Sequence, residues 1–257
     1  DVRITNHYYE HQLDSAIFSV IHEGGHALYE MDIDDSITMT PVGHGVSMGM
    51  HESQSRLYEN NLGRSRAFWV PIYGKLQEAY PETLGSVSLD EFYRAINHAA
   101  PSLIRTEADE LTYPFHIMIR YEIEKMIFAG EVSVEELPAL WNRKYEEYLG
   151  VTPENDSVGI LQDMHWSGGS FGYFPSYALG SAIAAQICHH METVMPLQDY
   201  LEAGNLKPIR EYLKEHIHKY GETKNTQELL KDMTGEAFNP DYYIKYLTDK
   251  YSKLYEL

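Results

Sequence analysis

The chain has 257 residues, enough for one large domain or two small ones with a sizeable core. Apolar residues make up 43% and charged residues 23%, an ordinary balance for a soluble globular protein. The net charge of −19, from 20 Lys and Arg against 39 Asp and Glu, repels phosphate backbones and argues against nucleic acid as a partner.

Helical periodicity dominates from the start. Ala16, Ile17, Val20, Ile21, Ala27 and Leu28 recur at helical spacing, which predicts a first helix over Leu13–Glu30 with Asp14 as its N-cap. Gly24 and Gly25 lie inside it, each costing up to about 1 kcal/mol relative to Ala, so something is expected to pack very close to the backbone there. Over 36–50 the pattern changes. Ile37-Thr38-Met39-Thr40 and Val46-Ser47-Met48-Gly49-Met50 flank a Pro-Val-Gly-His-Gly turn, which predicts two short strands. A second helix is expected to carry His51 through Asn61. Further helices follow at roughly 66–80, 88–100, 107–129, 133–148, 176–194, 206–220, 225–234 and 240–256. The most distinctive loop runs from Gly159 to Ser176 and is rich in glycine and aromatics. With no repeat, low-complexity tract or Gly/Ser linker, the expectation is one mainly α domain over 1–257 with a minor β element.

No apolar run approaches the roughly 20 residues that span a bilayer. Cys188 is the one cysteine, which rules out an intrachain disulfide and, with no export signal, points to a reducing cytoplasm. The chain opens on Asp1 rather than Met and enters an ordered-looking segment at once, so it is expected to be the C-terminal part of a longer chain.

The chemistry concentrates at His22-Glu23-Gly24-Gly25-His26. Residues i and i+4 share a helix face, so His22 and His26 present two imidazoles to one point, and Glu23 can reach a water there without being a ligand. The bland alternative is a surface helix with two unrelated histidines. Against it, the motif lies in an apolar run, where an unpaired His pair is costly. A catalytic zinc needs a third protein ligand and an open position. Glu52, in His51-Glu52-Ser53-Gln54, is the preferred candidate and His51 its rival. His7 and His11 share the i,i+4 spacing but lack an accompanying Glu base, so a structural or substrate-facing role is expected of them.

These motifs resemble those of the zinc metallocarboxypeptidases of the Taq carboxypeptidase type, family M32. Asp1-Val2-Arg3-Ile4-Thr5 resembles the family's Asp-x-Arg-x-Thr motif, and the stretches around His22 and Glu52 resemble its zinc and third-ligand motifs. Ile104-Arg105-Thr106-Glu107-Ala108-Asp109-Glu110, followed by Tyr113, is similar to Ile-Arg-x-x-Ala-Asp-Glu, and Gly159 to Trp166 matches Gly-x-x-Gln-Asp-x-His-Trp. The family's upstream His-Pro-Phe motif is absent. The resemblance covers essentially the whole chain. It implies a helical, cleft-forming fold similar to neurolysin and angiotensin-converting enzyme, a homodimer, and removal of C-terminal residues from peptides with broad specificity.

The expected mechanism is attack by a zinc-bound water activated by Glu23, with His22, His26 and Glu52 as ligands and Co2+ as a possible substitute for Zn2+. His165, Tyr173 and Tyr177 are candidate donors to the oxyanion, although core packing is the commoner fate of Tyr. Arg105 is the candidate anchor for the substrate's terminal carboxylate, with an ion pair to Glu107 or Asp109 as the structural alternative. Arg3 is assigned to the closed end of the groove. Glu107, Asp109 and Glu110 are candidates to orient a ligand histidine from behind. His44 is a weaker cleft candidate, and His98, His116, His189, His190, His216 and His218 are taken as structural or exposed. Two other readings stay open: a zinc endo-oligopeptidase, and an inactive zinc-containing helical domain.

Overall fold

The computed structural model describes residues 2–257, so Asp1, the first residue of the Asp-x-Arg-x-Thr stretch, lies outside it. The described chain is mainly helical, as expected, and contains no β-strand among the described residues. It divides into two compact units: one joins the residues up to Ile96 with Leu179–Leu257, the other is Asn97–Ala178.

In the first unit, α1 spans Leu13–Met31. Gln12 stands at its N-cap without a side-chain bond, and Asp14 falls in the first turn rather than capping it. There its charge still favours the helix N-terminus. α2 spans Met48–Arg56 and runs directly into a π-helical turn, Leu57–Gly63. Ser47 caps α2, its hydroxyl accepting from Met50 N–H.

The two strands expected over 37–50 do not form; the segment is a series of turns leading into α2. Its polar side chains satisfy the backbone locally. Asp34 accepts from Ser36 N–H and hydroxyl, Thr38 Oγ1 donates to Asp34 O, and Thr40 Oγ1 donates to Ile37 O. Such short-range bonds compete with strand pairing and win where no partner strand lies alongside.

The helix expected over 66–80 is broken into α3 (Arg66–Trp69) and α4 (Tyr73–Ala79), because Pro71 withholds an N–H from the helix between them. Two short helices went unforeseen, α5 (Pro81–Leu84) and α10 (Leu197–Glu202). α6 is Leu89–Ile96. The second unit contains α7 (Tyr113–Ala129) and α8 (Leu137–Leu149). α9 (Pro175–Val194) starts in that unit, and its residues from Leu179 onward belong to the first. α11 (Lys207–His216), α12 (Thr226–Thr234) and α13 (Asp241–Tyr255) complete the chain. No helix among the described residues is long and apolar enough to cross a membrane.

The main core of the first unit gathers Tyr29, Met50, Leu57, Leu62, Ile187, Met191, Leu213 and Leu230, all nearly inaccessible. Each such side chain contributes about 1.5–3 kcal/mol by leaving water. The second unit has its own core around Ile119, Ile123, Trp141 and Tyr145.

Candidate metal centre

α1 and α2 meet at a glycine. A Cβ on Gly25 would stand 2.6 Å from both the carbonyl oxygen of Gln54 and the Cα of Ser55, so only glycine admits α2 at this distance. The close approach expected of the glycine pair is thus real for Gly25. A Cβ on Gly24 would meet nothing within 4 Å. The contact sets Glu52, two residues before Gln54, opposite the two histidines of α1.

His22 Nε2 and His26 Nε2 stand 3.6 and 3.5 Å from Glu52 Oε2. Two atoms that ligate one tetrahedral zinc at bonds of about 2.05 Å stand about 3.3 Å apart. The three donors lie within 4.8 Å of one another, and no other His, Cys, Asp or Glu trio among the described residues does so. Two imidazoles and a carboxylate at this spacing fit a divalent transition metal. Glu23 follows His22 on α1 and is half-buried.

The site is supported from behind by groups that sequence reasoning missed. His22 Nδ1 is 2.8 Å from Glu59 Oε2. His26 Nδ1 is 2.6 Å from His51 Nδ1, and His51 Nε2 is 2.9 Å from Glu30 Oε1. His51, the rival ligand, therefore stands behind His26 with Glu30 at its far nitrogen. Arg56 donates through Nε to Glu52 Oε1 at 2.8 Å and through Nη1 to Glu59 Oε2 at 3.1 Å. Burial would raise both carboxyls, but Arg56 and the histidines outweigh it and hold Glu52 and Glu59 down to about 2. Burial, with His26 beside it, pushes the His51 imidazole below its usual value despite Glu30. A sequence signal existed for Glu59: it lies seven residues after Glu52, two helical turns on, with Arg56 between.

The second unit brings together Arg105, His165, Tyr173 and Tyr177. His165 Nε2 is 3.1 Å from Tyr177 Oη, the rings of His165 and Tyr173 lie 5.3 Å apart, and the Arg105 guanidinium stands 4.7 Å from the centre of the Tyr177 ring. His165 Nδ1 is buried without a hydrogen-bond partner, and burial lowers the imidazole's pKa. Arg105 is buried. Its ion pair is with Asp163, reached by Nε at 3.1 Å and Nη2 at 2.7 Å, rather than with Glu107 or Asp109. Arg120, wholly buried, donates to the same Asp163, so two guanidinium groups share one carboxylate. Burial opposes the Arg105 charge, but Asp163 more than offsets it and the pKa rises.

The three carboxylates expected behind a ligand histidine all lie in the second unit. Asp109 accepts from the N–H groups of Ala100, Leu111 and Thr112, Glu107 is exposed and Glu110 is buried. Arg3, His7 and His11 are exposed ahead of α1, and His44 is exposed 3.4 Å from Glu222. His116 and His218 are fully buried, while His98 and His189 are exposed.

The chain is similar to carboxypeptidase 1 of Bacillus subtilis, 55% identical over 258 residues that cover 100% of this chain and 52% of that protein. Thermostable carboxypeptidase 1 of Thermus thermophilus is 44% identical over 99% of this chain and 50% of that one. Among solved structures, the M32 carboxypeptidase of Deinococcus radiodurans superposes with a TM-score of 0.97 at 41% identity, covering 99% of this chain and 52% of that chain. The chain thus spans about half the length of the curated relatives it matches. The sequence model of carboxypeptidase Taq (M32) metallopeptidases matches residues 1–251, and the chain belongs to that family.

Proposed function

We propose that the protein is a metallocarboxypeptidase that removes C-terminal residues from peptides, with zinc held by His22, His26 and Glu52 and with Glu23 as general base. The observation that carries this reading is the spacing of the three donors, 3.5–3.6 Å from each histidine nitrogen to the carboxylate oxygen. A purely structural metal site has no use for a carboxylate at Glu23, which speaks against an inactive helical domain.

Zinc held by His22, His26 and Glu52 would supply a Lewis acid for the scissile carbonyl and for acidifying water, and cobalt suits the same donor set. Glu23 takes the proton from that water and returns it to the leaving amine. His165, Tyr173 and Tyr177 are assigned to the carbonyl oxygen; their mutual contact and the unpartnered His165 Nδ1 support the assignment. Arg105 is assigned to the substrate's terminal carboxylate. Two guanidinium groups against one Asp163 support it, because the cluster retains positive charge for an anion. Arg3 is assigned to the closed end of the groove. The family likeness supports broad side-chain specificity and a homodimer, and the single cysteine suits a reducing cytoplasm.

One observation favours the endo-oligopeptidase reading: Arg105 already turns its fork to Asp163. Peptides with a free and an amidated C-terminus separate the two. A carboxypeptidase cleaves the first and spares the second, and Glu23→Gln abolishes cleavage while retaining metal. Equal cleavage of both peptides assigns endopeptidase action instead.

A further inference from the structure

The two histidines that face Glu52 are held from behind in different ways. His22 Nδ1 meets the Glu59 carboxylate directly. His26 Nδ1 meets a second imidazole, His51, whose far nitrogen reaches Glu30. Two imidazoles that share one hydrogen bond cannot both bring a proton to it. Glu30 Oε1 already accepts from Gly45 N–H, so this acceptor oxygen calls for the His51 proton on Nε2. His51 Nδ1 is then a lone pair and accepts from His26 Nδ1–H. That leaves the lone pair of His26 on Nε2, the atom 3.5 Å from Glu52. Glu30, His51 and His26 thus favour one proton arrangement, and it is the one that ligation through His26 Nε2 requires.

The chain of contacts is anchored at its outer end as well. Glu30 Oε1 also accepts from Gly45 N–H at 2.9 Å, and the neighbouring Tyr29 hydroxyl accepts from Val46 N–H at 3.1 Å. The His51 ring stands 5.2 Å from that of Tyr29 and 4.7 Å from that of His26. The turn that replaces the expected strands therefore ties the acceptor carboxylate in place.

We propose that Glu30 and His51 form a positioning pair that fixes the tautomer and ring angle of His26, and that His51 is not itself a metal ligand. The proposal rests on the reading of His22, His26 and Glu52 as a metal site. Partners of this kind behind a ligand histidine are worth about 10- to 100-fold in metal affinity.

Zinc affinity by competition with a chromogenic chelator tests it, together with the visible spectrum of the cobalt-loaded protein. His51→Ala is expected to weaken zinc binding by about 10- to 100-fold. His51→Asn, whose Oδ1 replaces the Nδ1 acceptor, is expected to recover most of that loss and to leave the cobalt bands unchanged. Parental affinity in His51→Ala overturns the proposal. So does an Asn variant no better than Ala, which would reduce the effect to lost packing, or altered cobalt bands, which would make His51 a ligand. Glu30→Met, at a more exposed residue, reads the same pair without opening a hole beside His26, and unchanged zinc affinity there also overturns it. Hydrolysis is scored separately in the parent protein. No hydrolysis with zinc affinity intact removes the peptidase reading and leaves the positioning pair standing.

Discussion

Gly180 of α9 lies directly against the side chain of Glu52: a Cβ at position 180 would stand 2.5 Å from Glu52 Cγ and 2.6 Å from its Cβ. Glu52, the proposed third metal donor, is therefore held by Arg56 on one side and by the bare backbone of α9 on another. Gly180→Ala is expected to push Glu52 away from His22 and His26, weakening zinc binding at least about tenfold and costing about 1–3 kcal/mol of stability by overpacking. Chelator competition and thermal unfolding measure the two effects. Unchanged affinity would mean that Glu52 can move without loss.

The adjacent glycines between His22 and His26 should respond in opposite directions. At Gly25 the obstruction is the backbone of Gln54 and Ser55, which no rotamer change relieves. Gly25→Ala is expected to destabilise the protein by about 3 kcal/mol, the upper end of the overpacking range. At Gly24 there is open space, so Gly24→Ala is expected to stabilise it by up to about 1 kcal/mol through helix propensity. Urea unfolding of the two variants side by side checks the contrast.

Arg56 holds two buried carboxylates together. Arg56→Met would leave Glu52 and Glu59 close to each other without their shared cation. Removing one partner from a buried ion pair costs about 3–5 kcal/mol. The metal-free variant is expected to lose that stability, and zinc should restore part of it by neutralising Glu52. Unfolding midpoints with and without zinc measure both.

His116 gives the second unit a distinct acid sensitivity. The side chain is fully buried and its Nε2 has no hydrogen-bond partner. Burial, with Arg120 and Arg105 nearby, lowers its pKa to about 3. The unfolded chain takes up a proton near pH 6.5, so between about 3 and 6.5 the unfolded state binds more protons and stability rises with pH. The contribution is complete above about 6.5 and lost as pH falls toward 3. Asp163, lowered despite its burial by Arg105 and Arg120, adds a further loss below its ordinary value of about 3.9. In His116→Gln the dependence between pH 6.5 and 4.5 is expected to flatten. Urea titrations across that range decide it, and an unchanged slope would rule His116 out as the source.

The convergence of the three candidate metal donors was legible because helical geometry makes sequence spacing spatial: His22 and His26 are one turn apart, and the motif at Glu52 stands on the next helix. The groups behind them were not. In the sequence His51 reads only as a rival ligand, and Glu30 as one of many surface carboxylates, until the turn over 40–47 brings it beside His51. The Arg105–Asp163–Arg120 cluster joins positions 43 or more residues apart, a separation that no periodicity encodes. The strand prediction over 37–50 failed for the same reason. Alternating apolar residues describe a strand only if a second strand is present to accept it, and here Asp34 and the threonine hydroxyls take those bonds instead.

The wide turn over Leu57–Gly63 carries Glu59 to His22 while still burying Leu57, Tyr58 and Leu62 in the core. A helix of this kind encodes length as well as chemistry. Six of its seven residues are buried, and its i→i+5 bonding holds extra chain in the turn, so a one-codon deletion would let it tighten to α geometry. Glu59 could then no longer face His22 while Leu57, Tyr58 and Leu62 all stay in the core. Among descendants of this gene, the stretch should therefore keep its length as well as its buried residues, a reading-frame-like constraint imposed by helix geometry rather than by translation.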